Sequence, residues 1–105
     1  MSTPEGKVKT KVKALLKKNG CYQFWPVQTG YGAATLDCIG CYMGLYFSVE
    51  TKAPGKHLTP RQELTREAME KAGATVFVIG EYQDADGEYS GMDELAEWLN
   101  DESDK

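Results

Sequence analysis

Residues 45–52 constrain this chain more than any other stretch. Leu45, Phe47 and Val49 alternate with Tyr46, Ser48 and Glu50, which is the period of a strand. The run ends in Glu50-Thr51-Lys52, just before Pro54-Gly55. Residues two apart on a strand share a face, so Glu50 and Lys52 project together. Such a pair is either a surface ion pair or part of a site. Asp37 shifts the balance. It closes a second short apolar stretch, Ala33-Ala34-Thr35-Leu36, and Tyr42-Met43-Gly44 supplies a turn that lets the two runs pair as a hairpin. A carboxylate on each of two adjacent strands then meets the other on one face. That grouping can hold a hard divalent cation through oxygen, with a lysine left to act on a reacting phosphate.

The flanking segments read as a short α/β domain. Ser2-Thr3-Pro4-Glu5 has the form of a helix start, with Glu5 three residues after Ser2 as in a capping box. Val8, Val12, Leu15 and Leu16 follow at helical spacing, six lysines cover the other faces, and Asn19-Gly20 ends the helix. Cys21 to Trp25, rich in aromatics and stopped by Pro26, suits a strand. Gln28-Thr29-Gly30-Tyr31-Gly32 reads as a loop, and strands follow over about Thr35 to Cys41 and Leu45 to Lys52. Thr59-Pro60-Arg61-Gln62 opens a second helix whose apolar stripe is Leu64, Ala68, Met69 and Ala72, ending at Gly73. Thr75 to Ile79 is a continuous apolar strand, interior by composition. After the turn Asp84-Ala85-Asp86-Gly87, Ser90 or Gly91 opens a last helix with Met92, Leu95, Ala96 and Leu99 inward and Trp98 near them. The order is α-β-β-β-α-β and then a short helix. One domain over 1–100 is expected, with 101–105 a frayed acidic tail.

A chain of 105 residues, 41% hydrophobic and 27% charged, has room for one modest core. It has no apolar run of transmembrane length and no apolar leader, and its three cysteines suit a reducing compartment; the expected location is cytoplasmic, a host's cytoplasm if phage-encoded. The net charge of −4 hides a division. Residues 81–105 hold ten acids and one lysine, hence −9, and residues 1–80 hold eleven bases and six acids, hence +5. A basic body suits a polyanion, although lysines also solvate helices without further purpose.

This order, with Asp37 and the Glu-x-Lys of Glu50 and Lys52, resembles the PD-(D/E)XK nuclease superfamily. The finer resemblance is to the virus-type replication–repair nuclease family, VRR-NUC. Its members pair a loop glycine with a following Asp, then carry Glu-x-Lys, a Leu-Thr-x-x-Gln helix start, and an apolar strand after a glycine. Here these are Gly32 and Asp37, Glu50-Thr51-Lys52, Leu58-Thr59-Pro60-Arg61-Gln62, and Gly73-Ala74-Thr75-Val76-Phe77-Val78. The Pro that commonly precedes the Asp is Leu36 here, which bears on the local turn and not on the ligand. The resemblance covers residues 3–80 or so and implies a restriction-endonuclease-like αβββαβ core, a mixed central sheet flanked by helices.

It also implies a small stand-alone DNA endonuclease using Mg²⁺ or Mn²⁺, of the kind found in phages and bacteria and in DNA repair. The expected substrate is branched DNA such as a four-way (Holliday) junction, cut by a homodimer, because one site cuts one strand and two-fold symmetry supplies two. Phe24, Trp25 and Tyr46 are candidates for the dimer face. A bound divalent ion can activate water and relieve charge on phosphate oxygens. Asp37, Glu50 and the Thr51 backbone carbonyl would be its ligands, and Lys52 would orient the water or stabilise developing charge. Glu5 lies on the inward side of the first helix; a metal role and a capping role both stay open for it. Gln62 also has two readings, reaching back to the Thr59 amide or, as the resemblance implies, hydrogen-bonding a metal-bound water or a substrate phosphate. Lys9, Lys13 and Lys17 on the first helix, and Lys56 and His57 in the loop after Lys52, are candidate phosphate contacts; Tyr31 and Gln28 are weaker ones.

Two rivals remain. One is another nuclease of the same fold, restriction-like or flap-directed. The other is a non-catalytic DNA-binding module stabilised by zinc. Cys38-Ile39-Gly40-Cys41 is the motif behind the second, with Cys21 and His57 completing a Cys₃His set. Against it, only one CxxC is present, and strand positions three apart point to opposite faces.

Overall fold

The computed structural model describes residues 3–27 and 35–105. Thr3 caps the first helix, α1 (Pro4–Lys18), by accepting a hydrogen bond from the Gly6 amide at 2.9 Å. Pro4 is therefore the first helical residue, and the position three after the cap is Gly6. Glu5 has no part in a capping box; the proline fixes the start one residue later than Ser2 would. Val8, Val12 and Leu16, four apart, form the fully buried stripe, and Asn19 closes the helix.

The sheet has the order β1-β2-β3-β4, with β1 (Tyr22–Phe24), β2 (Cys38–Tyr42), β3 (Leu45–Thr51) and β4 (Thr75–Ile79). The first three strands are antiparallel, and β4 joins β3 in parallel. The parallel step requires a crossover, and α2 (Pro60–Lys71) supplies it. Met43 and Gly44, both at positive φ (52° and 80°), make the two-residue turn joining β2 to β3. A last helix, α3 (Met92–Ser103), follows β4 and continues past Asp101, where the sequence suggested fraying.

Alternation along the strands divides the sheet into two faces. Cys38, Phe47, Val49, Phe77 and Ile79 point into the core with α1 and with Leu95 and Leu99 of α3. Trp98 packs its ring at 5.5–6.3 Å from those of Tyr42, Phe47 and Phe77. Burying each such side chain contributes about 1.5–3 kcal/mol. Gly40 lies in the same layer because nothing larger fits. A Cβ there would stand 2.4 Å from Phe47 Cζ and 2.5 Å from the Tyr22 carbonyl oxygen.

The opposite face holds Ile39, Cys41, Tyr46, Ser48 and Glu50, with Tyr22 and Phe24 beside them by register. α2 lies on this side at the β4 end, reached by Glu50 through Gln62. The expected apolar stripe of α2 is not its buried side. Leu64 is 66% exposed, Ala68 and Ala72 are exposed, and the half-buried positions include Gln62, Thr65, Arg66 and Met69. The polar anchor at Gln62 sets the helix rotation, and Leu64, Ala68 and Ala72 lie roughly 80–160° around the helix from it.

Candidate active site

The site forms where β3 ends and β2 begins. Asp37 sits in the bend before β2, and Glu50 is the next-to-last residue of β3. The hairpin register pairs Cys38 with Val49, so Asp37 and Glu50 arrive side by side. The Asp37 amide donates to Glu50 Oε1 at 3.1 Å. Asp37 Oδ2 accepts from the Thr51 amide at 2.9 Å and from the Thr51 hydroxyl at 2.8 Å. Thr51 thus orients the carboxylate, a role its sequence position did not signal.

Each carboxylate also meets a cation. Lys52 Nζ lies 3.6 Å from Glu50 Oε2, as the shared strand face predicts. Lys9 Nζ, from α1, lies 4.0 Å from Asp37 Oδ1. Lys9 was expected to touch DNA; its approach to Asp37 needed the packing angle of α1, which no motif encodes.

Gln62 makes two contacts at once, one its expected cap and the other to Glu50. Its Oε1 accepts from the Thr59 amide at 3.0 Å, closing the capping box with Thr59 Oγ1. Its Nε2 donates to Glu50 Oε2 at 3.1 Å. One side chain therefore caps α2 and fixes Glu50.

Glu50 is only 3% exposed. Burial raises its carboxyl from 4.5 to about 7; the charge of Asp37 adds to the rise, Lys52 opposes it, and Glu5 contributes a smaller upward push. A carboxylate held in an unfavourable charged state is relieved by a nearby cation. Among the described residues, no three acid, imidazole or thiol groups are gathered closely enough to hold a metal ion, so Glu5 does not complete a three-acid cluster. The donor set is two hard carboxylates. The Thr51 carbonyl is a reasonable third, because its amide faces Asp37 and in an extended strand the carbonyl of a residue leaves on the same edge. Two carboxylates and a carbonyl suit Mg²⁺ or Mn²⁺, which keeps several waters.

The remaining candidates are spread around this centre. His57 Nδ1 lies 2.8 Å from Glu81 Oε2, and its ring stands 5.4 Å from that of Tyr82. Lys56 is exposed beside it in the loop after Lys52. Lys13 Nζ lies 5.0 Å over the Trp25 ring, and Lys17 is exposed farther along α1. Gln28 and Tyr31 lie outside the described residues. The zinc reading fails on geometry. Cys38 is buried and Cys41 exposed, on opposite faces of β2, and His57 is engaged with Glu81. Burial also pushes the Cys38 thiol up to about 12, away from the thiolate a metal needs.

The fold has a counterpart among solved structures. A structure described as a VRR_NUC domain superposes with a TM-score of 0.67 at 24% sequence identity, covering 95% of this chain and 97% of that one. The chain has the VRR_NUC fold. Three helices and a mixed four-stranded sheet, with α3 at the C-terminal end, carry that fold here. No family model matches the sequence, and no curated protein does. The VRR_NUC fold gathers the sequence-expected Asp37, Glu50, Lys52 and Gln62 at one end of the sheet.

Proposed function

We propose that this chain is a divalent-metal-dependent DNA endonuclease of the VRR-NUC family, hydrolysing phosphodiester bonds at the Asp37–Glu50 pair. One observation carries the reading. Glu50 Oε1 accepts from the Asp37 amide and Asp37 Oδ2 accepts from Thr51 beside Glu50, with Lys52 and Gln62 both within reach of Glu50 Oε2. A plain surface ion pair needs neither a 3% exposed glutamate nor a second carboxylate to raise it.

Asp37, Glu50 and the Thr51 carbonyl would hold Mg²⁺ or Mn²⁺, which supplies an activated water and charge relief at the phosphate. The chain's own groups do the rest. Thr51 fixes Asp37 Oδ2, leaving Oδ1 outward. Gln62 fixes Glu50. Lys52 is positioned to orient the attacking water or to stabilise negative charge developing on the phosphate. Lys9 adds a second cation at the edge of the site. Lys17, Lys56 and His57 are candidate phosphate contacts outside it.

The preferred substrate is branched DNA, cut by a two-fold pair of chains. Support for pairing comes from the uncovered sheet face. Tyr22, Cys41 and Tyr46 form one row across three strands, Phe24 and Ile39 lie in the next, and together they border an apolar hollow of about 220 Å³. Tyr22, Phe24 and Tyr46 are 69%, 53% and 45% exposed, and a contiguous patch of this kind marks an interface. Trp25 is not part of it, since strand alternation turns it toward α1.

The test is incubation with Mg²⁺ or Mn²⁺ and a panel of single-stranded, duplex, flap and four-way DNAs. Paired incision of the four-way junction is expected. No cleavage of any member under either metal would refute the reading.

A further inference from the structure

One edge of the molecule runs from the site along α1, away from the apolar patch. Lys9 and Lys13 stand one helical turn apart on α1, about 6 Å along its axis. Lys9 reaches Asp37 at 4.0 Å. Lys13 lies over the indole of Trp25, 5.0 Å from its centroid. The indole itself is fixed. Trp25 Nε1 donates to Gln23 Oε1 at 2.8 Å, and Gln23 Nε2 donates to the Lys13 carbonyl at 3.3 Å. The ring is half-buried and packs against the core, and the exposed Lys13 covers its outer face, which opens when that lysine swings to a phosphate. Register locates it as well. Phe24 pairs with Ile39, so continuing the register by one sets Trp25 at the level of Cys38, the residue after Asp37. Cation, cation and a pinned aromatic plate therefore run outward from the carboxylates.

We propose that this edge is the track of the scissile strand on one side of the cut. Lys9 and Lys13 take neighbouring phosphates, and an unstacked base next to the cleaved bond stacks on Trp25. The proposal rests on the nuclease reading above and narrows its substrate class to DNA in which stacking is interrupted beside the cut, as at a branch point or a fork. A base inside a continuous duplex offers its neighbours, and not Trp25, its π-face. Stacking on an aromatic side chain is tolerant of sequence, and lysine contacts with phosphate are read through salt dependence.

The test is titration of the protein in EDTA, where no cleavage occurs, with a forked duplex carrying an unpaired arm and with a continuous duplex. Tryptophan emission and affinity are read together. Forked DNA should quench the wild type and leave Trp25→Phe much less changed. Trp25→Leu should weaken forked-DNA binding roughly 5- to 150-fold and leave duplex binding as it was. Lys9→Ala and Lys13→Ala should each lower the salt slope by about 1. These two variants decide the matter if Trp25→Leu melts early. Forked DNA bound with unchanged emission, equal losses on both DNAs, or an unchanged salt slope would overturn the track. Cleavage of the DNA panel by the wild type in that event would leave the nuclease standing. Quenching and the salt effects without cleavage under either metal would keep this edge as a DNA-binding surface, remove the nuclease reading, and with it overturn the scissile-strand track.

Discussion

Glu50 makes the metal-free protein sensitive to pH in a direction that can be worked out in advance. Its carboxyl titrates at about 7 in the folded chain against 4.5 unfolded. Between those values the folded state binds more protons than the unfolded state, so stability falls as pH rises. The contribution is fully present below 4.5 and is lost once pH passes about 7. A shift of this size corresponds to about 3 kcal/mol in total, of which roughly 2–3 kcal/mol falls between pH 5 and pH 8. At 3% exposure the group is not screened by solvent as a surface charge would be. Glu50→Gln removes the titration. The amide keeps an acceptor for the Asp37 amide but presents its NH₂ to Gln62 Nε2 and Lys52, which costs about 1–3 kcal/mol at every pH. The pH dependence of the difference between the two proteins therefore isolates the carboxyl. Urea denaturation in EDTA at pH 5 and pH 8 gives that difference. The variant should gain roughly 2–3 kcal/mol on the wild type across the interval. A difference that stays constant across it would refute the account of Glu50. With metal present the sign reverses. The ion competes with the proton, so Mn²⁺ affinity should rise with pH up to about 7.

Asp37→Asn, Glu50→Gln and Lys52→Ala should each abolish Mg²⁺- or Mn²⁺-dependent cleavage in a folded protein, and Asp37→Asn should also remove Mn²⁺ binding in a calorimetric titration. Near-wild-type cutting by any folded one of them would dismiss the site. Gln62→Ala should cost about 1–2 kcal/mol through the lost cap, whereas Gln62→Glu should restore the cap, set a carboxylate against Glu50 and still impair cleavage; comparing melting with activity separates the two. Gly40→Ala should destabilise by about 1–3 kcal/mol or more, read by urea denaturation, because its Cβ meets Phe47 and the Tyr22 carbonyl. Sedimentation at micromolar concentration should give twice the 11.6 kDa chain mass, and Phe24→Glu should return the monomer; a wild-type monomer that incises both strands in one binding event would contradict the pairing.

The element order was legible because its signals are local. Proline and threonine mark both helix starts, Met43-Gly44 marks the hairpin, and Thr75 to Ile79 has no polar interruption. The Asp37–Glu50 pairing was legible for the same reason, since the hairpin register follows from the turn. What failed depended on rotation and reach. The apolar residues of α2 suggested a buried stripe, but a single hydrogen bond from Gln62 outranked them in orienting the helix. Ser2 and Glu5 matched a capping box that Thr3 and Pro4 displaced by one residue. Trp25 was grouped with Phe24 by adjacency, although neighbours on a strand face opposite ways. The approach of Lys9 to Asp37, and the hold of the Thr51 amide and hydroxyl on the same carboxylate, are tertiary contacts that no spacing in the chain announces.

The double engagement of Gln62 couples two events usually treated as separate. Fraying of the first turn of α2 releases Thr59 and Gln62, and with them the hold on Glu50. That turn is at most half-buried and contributes no fully buried side chain, so it opens at a lower free-energy cost than the core around Phe47. Heat should therefore silence this site before it melts the protein. Amide exchange at Gln62 and Glu63, followed against temperature, should track the loss of activity while exchange in β3 remains slow.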